Sequence, residues 1–403
     1  MNERQPVEDW ATDFDHLSDE WANNSPEILA DLRGRCPVAH TDRFFGAYLV
    51  TRYDDIDEVA HNTGVFSNRI TSVNENHPDK IKLELPPITL DPPEHSPLRR
   101  ALLPWFNPRE VAALEPWVEA MVDGLLDRIA GREYVDGALD YAQQVPVELM
   151  GKLFGVSSEM AGQFRAWVDA MLKDGQIDLD VARKANREVQ AYFAEQLALH
   201  RDNPVDDLVT KVLQAEIALE DGTTRAFSER ERIGALFVLM IGGIDTTWSS
   251  LGSALFPLAA NPADRELLVA DPSLIPNAIE ELLRFYSPVT IARVINEDSA
   301  VAGCPVQGGQ RILLSFPSAN RDETHFDNPD TVDLQRQENR HLAFGVGIHR
   351  CLGSNLARME MRIALERWLA RYPRFELACD PADIRWSVGP VRGPRNVPLR
   401  ILA

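Results

Sequence analysis

The chain is short of cysteine, of net positive charge and of long apolar runs, and each shortage removes a class of protein. Only 4 cysteines occur in 403 residues, Cys36, Cys304, Cys351 and Cys379. Such scatter builds no disulfide framework, and a reducing cytoplasm is the compartment it suits. Against 62 acidic residues stand 41 Lys and Arg, a formal net charge of -21, which opposes a general nucleic-acid or anionic-membrane surface. The longest apolar run, Ile233 to Ile244, has 12 residues, short of the roughly 20 that cross a bilayer. Met1 to Trp21 is acidic where a leader would be basic and then apolar, so neither export nor membrane anchorage is expected. No repeat, Gly/Ser linker or compositional break marks a boundary. One domain over residues 1–403 is the simplest reading, with 1–26 as a partly flexible extension.

What is present is mainly helical. Apolar residues recur at three- and four-residue intervals in Val111 to Ile129, Val181 to His200, Ile233 to Ala259, Ile275 to Phe285 and Leu356 to Tyr372. Short strand-like segments at Tyr48 to Thr51, Val289 to Val294, Arg311 to Ser315 and Val397 to Leu402 are bounded by Gly and Pro. The fold class is therefore mainly α (α+β), with small sheets at an edge. Asn68 to Pro93 and the polar Arg201 to Arg230 read as long connections, and such loops often cover a site.

Cys351 stands among glycines in Phe344-Gly345-Val346-Gly347-Ile348-His349-Arg350-Cys351-Leu352-Gly353, just before a helical pattern that starts near Leu352. Free N–H groups and the dipole at a helix N-terminus favour a thiolate, and glycines let backbone approach a large planar ligand. A buried inert cysteine fits the spacing equally well. A zinc site at His349 and Cys351 lacks a second ligand pair. Farther upstream, Gly242 and Gly243 precede Asp245, Thr246 and Thr247 inside an apolar helix. Mid-helix glycine costs about 1 kcal/mol relative to alanine, so either helix packing or the approach of a ligand must repay it.

The loop at 344–353 resembles the haem-binding loop of the cytochrome P450 family and matches at every signature position. Glu281-Leu282-Leu283-Arg284, 70 positions before Cys351, resembles that family's Glu-x-x-Arg motif. Arg336 takes the place of its third member, and Ala319-Asn320-Arg321-Asp322 resembles the segment between the motifs. Alone, the Glu281/Arg284 pair would be an ordinary helix-face ion pair. The resemblance covers roughly residues 27–403. It departs at Val306-Gln307-Gly308-Gly309, where the family often has Ile-Pro-Lys-Gly.

The resemblance implies a helix-rich triangular prism with small antiparallel sheets, binding haem b through the Cys351 thiolate. His95, Arg99, Arg293 and His349 would serve its propionates, with Phe344, Gly345 and Gly353 against it. Glu281, Arg284 and Arg336 would be structural. Asp245 and Thr246 would be the acid/alcohol pair that delivers protons during dioxygen activation. Ile241, Gly242, Val289, Ile291 and Val388 would line a substrate pocket, within the wider segments 68–89, 164–176, 238–244, 289–291 and 388–391. Trp167, Met171 and Trp248 suit either that pocket or ordinary core.

The implied activity is monooxygenation, by hydroxylation or O-dealkylation, of a small to medium hydrophobic substrate. Electrons would come from a separate ferredoxin and an NAD(P)H-dependent ferredoxin reductase, docking near Arg99, Arg100, Arg350, Arg358 and Arg362. A monomer is expected, with no nucleic-acid or membrane partner. A peroxygenase-type haem-thiolate enzyme would share Cys351 but usually lacks the acid/alcohol pair. A non-catalytic haem or gas-binding module is the alternative from another class.

Overall fold

The computed structural model describes residues 4–75, 84–219 and 221–402. Part of the expected Asn68 to Pro93 connection, residues 76–83, lies outside the described residues. The helices in chain order are α1 Asp19–Arg35, α2 Tyr53–His61, α3 His95–Leu102, α4 Pro108–Ala112, α5 Glu115–Arg128, α6 Gln144–Leu153 and α7 Ser158–Leu172. They continue with α8 Leu179–Asp202, α9 Leu208–Gln214, α10 Glu229–Ala260, α11 Pro262–Ala270, α12 Ile275–Phe285, α13 Phe316–Ala319 and α14 Ser354–Arg371. The strands are β1 Val38–Thr41, β2 Ala47–Val50, β3 Phe66–Ser67, β4 Tyr134–Asp136, β5 Glu216–Ala218 and β6 Thr224–Ala226, then β7 Thr290–Ile295, β8 Ser299–Val301, β9 Cys304–Val306, β10 Arg311–Ser315, β11 Phe375–Leu377 and β12 Pro398–Ile401.

The main apolar core wraps α10, drawing on α5, α6, α7, α8, α12 and α14. Ser228 caps α10 and forms a capping box with Glu231, which satisfies two otherwise orphaned N–H groups. By length and apolar character α10 would pass for a membrane span, but 67% of its most apolar window is buried in the protein, as befits a core helix.

The largest sheet runs β1-β2-β10-β7-β3. One pairing departs from the expected small antiparallel sheets, because β10 pairs with β2 in parallel, Arg311 opposite Ala47. Those strands are joined through most of the chain, and a long connection lets two strands run in the same direction. The β1–β2 turn places Phe44 and Phe45 at φ 57 and 65. The buried Arg311 guanidinium holds it by donating to the Phe44 carbonyl.

Three further expectations are corrected. The pattern Val111 to Ile129 is broken between α4 and α5, because Pro116 falls in the first turn of α5, where its missing N–H is tolerated. The presumed connection Arg201 to Arg230 carries α9 and the β5–β6 hairpin. Residues 11–17 of the expected flexible extension are packed against the fold, with Phe14, Asp15 and Leu17 buried. There the Ala11 carbonyl accepts from the His40 N–H at 2.9 Å.

Candidate functional site

A knot of short-range bonds fixes the Cys351 loop. Gly345 N–H donates to Leu342 O at 2.8 Å, Arg350 N–H to Gly347 O at 3.1 Å and Cys351 N–H to Phe344 O at 2.7 Å. Gly345 and Gly347 have φ of 68 and 72, and a side chain at Gly347 would come within 3.1 Å of Ala60 O, so only glycine serves there. Helix α14 begins at Ser354 with Gly353 as its N-cap, two residues later than the sequence pattern suggested. Cys351 therefore sits at the mouth of the helix rather than in it. Its side chain is accessible to solvent yet crowded by the surrounding protein. Burial pushes the thiol up, opposed by the Gly353 N–H bonded to it and by Arg99, Arg350 and Arg358.

Around the loop gather His95, His349 and Arg293, each with a buried nitrogen that has no partner. His95 opens α3, and its ring centroid lies 4.3 Å from that of His349. Both ring nitrogens of His95, Nε2 of His349 and Nε of Arg293 are buried without a partner. Burial, then Arg293, His95 and Arg99, push His349 down to about 2. Burial and Arg99 push His95 down to about 4, and burial lowers Arg293 to about 10. Asp91 is nearby but accepts from the Ser67 hydroxyl and the Asn68 N–H. Unpaired buried donors cost about 1–3 kcal/mol each, so this set calls for a bound anion. The paired carboxylates of a haem whose iron takes Cys351 fit it. Among the described residues no group of three or more His, Cys, Asp and Glu could hold a bare metal ion.

In α10 the adjacent glycines have different reasons. A Cβ on Gly243 would meet Met150 Sδ at 2.6 Å, whereas one on Gly242 would meet nothing within 4 Å. Gly243 is thus a helix-packing contact with α6, and Gly242 borders open space. Val238, Gly242 and Thr246, spaced by four, form an accessible stripe on a mostly buried helix. The Thr246 hydroxyl donates to Gly242 O at 2.6 Å. Asp245 is buried and clamped by Arg395, at 2.7 and 3.1 Å, whose guanidinium lies 4.2 Å from the Trp248 ring centroid. Burial and the proximity of Asp245 raise Asp169, so a second carboxyl lies close to the clamp. Arg395, 150 positions from Asp245, had no sequence signal.

Glu281, Arg284 and Arg336 come together in one buried network. Fully buried Glu281 receives both arms of Arg284 at 2.8 Å, Arg336 Nε at 3.0 Å, the Asp333 N–H at 2.8 Å and Asn339 Nδ2 at 3.2 Å. Arg284 then donates to the carbonyls of Asn320, Pro329 and Thr331. Asn320 Oδ1 accepts from the Leu342 N–H at 2.6 Å, which carries the network into the Cys351 loop. Sequence reading had marked Asn320 only as part of a resembling segment, and it missed Asn339. It also missed Glu280, which clamps Arg358 at 2.6 and 2.7 Å and His341 at 3.0 Å.

The other expected residues divide. Val289 bridges to Val391, and Val289, Ile291 and Val388 are partly accessible, whereas Ile241 is buried. Trp167, Met171 and Trp248 belong to the core, with Trp167 donating to Glu188 at 2.9 Å. Of the arginines expected to dock a partner, Arg358 is spent on Glu280, and Arg362 on Glu115 and Glu366. Arg99 folds back onto Arg350 O. Arg100 and Arg350 stay exposed, without a carboxylate partner among the described residues.

Known proteins share this organisation. The family model for cytochrome P450 matches residues 152–386. Cytochrome P450 107B1 of Saccharopolyspora erythraea is 34% identical over 367 residues, covering 88% of this chain and 89% of its own. Vitamin D(3) 25-hydroxylase of Pseudonocardia autotrophica is 34% identical over 391 residues, 94% of either chain. The solved structure of the bacillaene polyketide synthase cytochrome P450 PksS of Bacillus subtilis superposes with a TM-score of 0.88 at 31% identity, covering 97% of this chain and 100% of that one. The helix-rich fold and the cysteine loop thus have one explanation: the chain belongs to the cytochrome P450 family and is a monooxygenase.

Proposed function

We propose that this enzyme inserts one oxygen atom from dioxygen into a small to medium hydrophobic organic molecule, by hydroxylation or O-dealkylation. A separate ferredoxin and its NAD(P)H-dependent reductase would supply electrons to a cytoplasmic monomer. The observation that carries the reading is the convergence of an accessible Cys351 with the unpartnered buried nitrogens of His95, His349 Nε2 and Arg293 Nε. Relatives named for polyketide biosynthesis, for mycinamicin IV and for vitamin D(3) favour a lipophilic substrate, as do the apolar positions Val238, Val289, Ile291 and Val388.

Haem b, held by Cys351 and by propionate contacts to His95, Arg99, Arg293 and His349, would supply dioxygen binding and O–O cleavage. Cys351, aided by the Gly353 N–H and the start of α14, would be the thiolate that holds the iron. Phe344 and Gly345 shape the loop that presents Cys351. Gly242 leaves room beside α10, and the Thr246 hydroxyl, which rests on Gly242 O, would turn from that carbonyl to donate into the room. Asp245 holds the next position in the relay, and the bidentate Arg395 keeps it oriented. Proton delivery then requires Asp245 to loosen from Arg395 and meet Thr246 directly or through water. Ile241 backs the stripe from the core side, and Val289, Ile291 and Val388 exclude water around the substrate.

The test is the absorption spectrum of purified protein, reduced and exposed to carbon monoxide. A red-shifted Soret band establishes thiolate ligation by Cys351, and oxygen-dependent product formation with ferredoxin and reductase establishes turnover. A haem spectrum without that band, or turnover with peroxide alone, overturns the reading.

A further inference from the structure

Three segments assigned above to the substrate cavity, 68–75, 164–176 and 388–391, meet at one junction. The Glu75 N–H donates to Gln176 O at 3.1 Å. A Cβ at Gly389 would lie 3.5 Å from Leu172 O and 3.6 Å from Gln176 Cγ. The residue that joins them belongs to none of the three. His16 Nε2 donates to Val73 O at 2.9 Å, and its own carbonyl accepts from the Gly389 N–H at 3.4 Å. Its ring is 3% exposed and stands edge-on to Phe44 at 4.8 Å. Burial pushes His16 down to about 4, so at neutral pH it is an uncharged donor of fixed orientation.

The strap carrying His16 is itself anchored from both sides. Asp15 takes Arg4 at 2.6 and 2.7 Å and Arg43 at 3.2 Å. Arg4 continues to Glu75 at 2.7 Å. Phe14, Leu17 and Val73 share one apolar cluster. A backbone-to-side-chain bond on one wall and a backbone bond to another therefore come from a single rigidly held residue.

We propose that His16 is a positioning residue that sets the separation of the 71–75 and 387–391 walls, which makes the N-terminal strap a determinant of substrate size. The inference rests on the assignment of those segments to the substrate cavity. It extends specificity to a stretch outside the loops expected to carry it.

The test uses the full-length, haem-loaded protein with His16→Ala and with His16→Gln, whose amide can donate the same bond. Hydrogen exchange is expected to accelerate about fivefold in His16→Ala at amides of both 71–75 and 387–391, with 342–353 unchanged and His16→Gln close to wild type; fivefold corresponds to about 1 kcal/mol, the usual worth of one such bond. Soret titration with 4-phenylimidazole should weaken by a similar factor while imidazole, too small to touch the walls, binds as before. Acceleration confined to the strap and 71–75, or equal weakening of both azoles, overturns the proposal. If the wild-type protein shows no thiolate haem spectrum, the functional reading fails separately, and the exchange experiment still decides the role of His16.

Discussion

Two neighbouring glycines in α10 should respond oppositely to the same methyl group. Alanine removes a mid-helix glycine penalty of about 1 kcal/mol in either position. At Gly242 the methyl enters open space, so Gly242→Ala should stabilise the protein by about 0.5–1 kcal/mol. At Gly243 it would stand 2.6 Å from Met150 Sδ and 3.0 Å from Met150 Cε, and Met150 is buried. Overpacking of this kind costs about 1–3 kcal/mol, which cancels or exceeds the helical gain. The two variants should therefore differ by about 1–3 kcal/mol in chemical denaturation, with Gly242→Ala the more stable. Function should follow the reverse order, because only Gly242→Ala narrows the space beside Thr246. Its carbon monoxide affinity should fall while that of Gly243→Ala is kept. A double-mutant cycle with Met150→Ala isolates the contact, and a large part of the Gly243→Ala cost should vanish in that background. Equal stabilities for the two variants, or strict additivity with Met150→Ala, would refute the reasoning.

Thr246→Ala should consume reductant at a near-normal rate but release peroxide in place of product; unchanged coupling in a combined peroxide and product assay would remove Thr246 from proton delivery. Glu281→Gln leaves two guanidinium groups short of their counter-charge in the interior, so a loss of about 3–5 kcal/mol is expected, read as a lower denaturation midpoint with faster haem loss. A change under about 1 kcal/mol would show that the network is not needed to hold the loop. Phe45, exposed and at φ 65, sits where a bulky side chain costs about 1–2 kcal/mol. Phe45→Asn should raise stability by about 0.5–1 kcal/mol, and a lower denaturation midpoint would contradict that.

Legibility in the sequence followed the range of the interaction. The Cys351 loop was readable because its glycines, its cysteine and the helix start are contiguous. Helix α12 and strand β10 were readable to the residue, since hydrophobic period and flanking Pro or Gly agree there. Glu281 and Arg284 share a helix face, so their pairing was foreseeable. Arg395 was not, because nothing in a local pattern announces that a C-terminal guanidinium will cross to α10. The parallel pairing of β2 with β10 and the anchoring of Trp10–Leu17 were hidden for the same reason: both are decided by what lies across the fold. The Gly242-Gly243 pair was legible as an anomaly but not as two different ones, since a spacing cannot tell which side of a helix meets Met150.

The stretch from Arg395 to Ile401 serves two masters. Strand β12 zips β11 to β4, and the residue three places before it holds Asp245. A change that peels this strand from its sheet would release the carboxylate as well, so selection acting on how firmly the chain closes also acts on how firmly Asp245 is held. Variants of this stretch that look like stability mutants in a melting experiment should also turn over differently, and neither trait can drift there without the other.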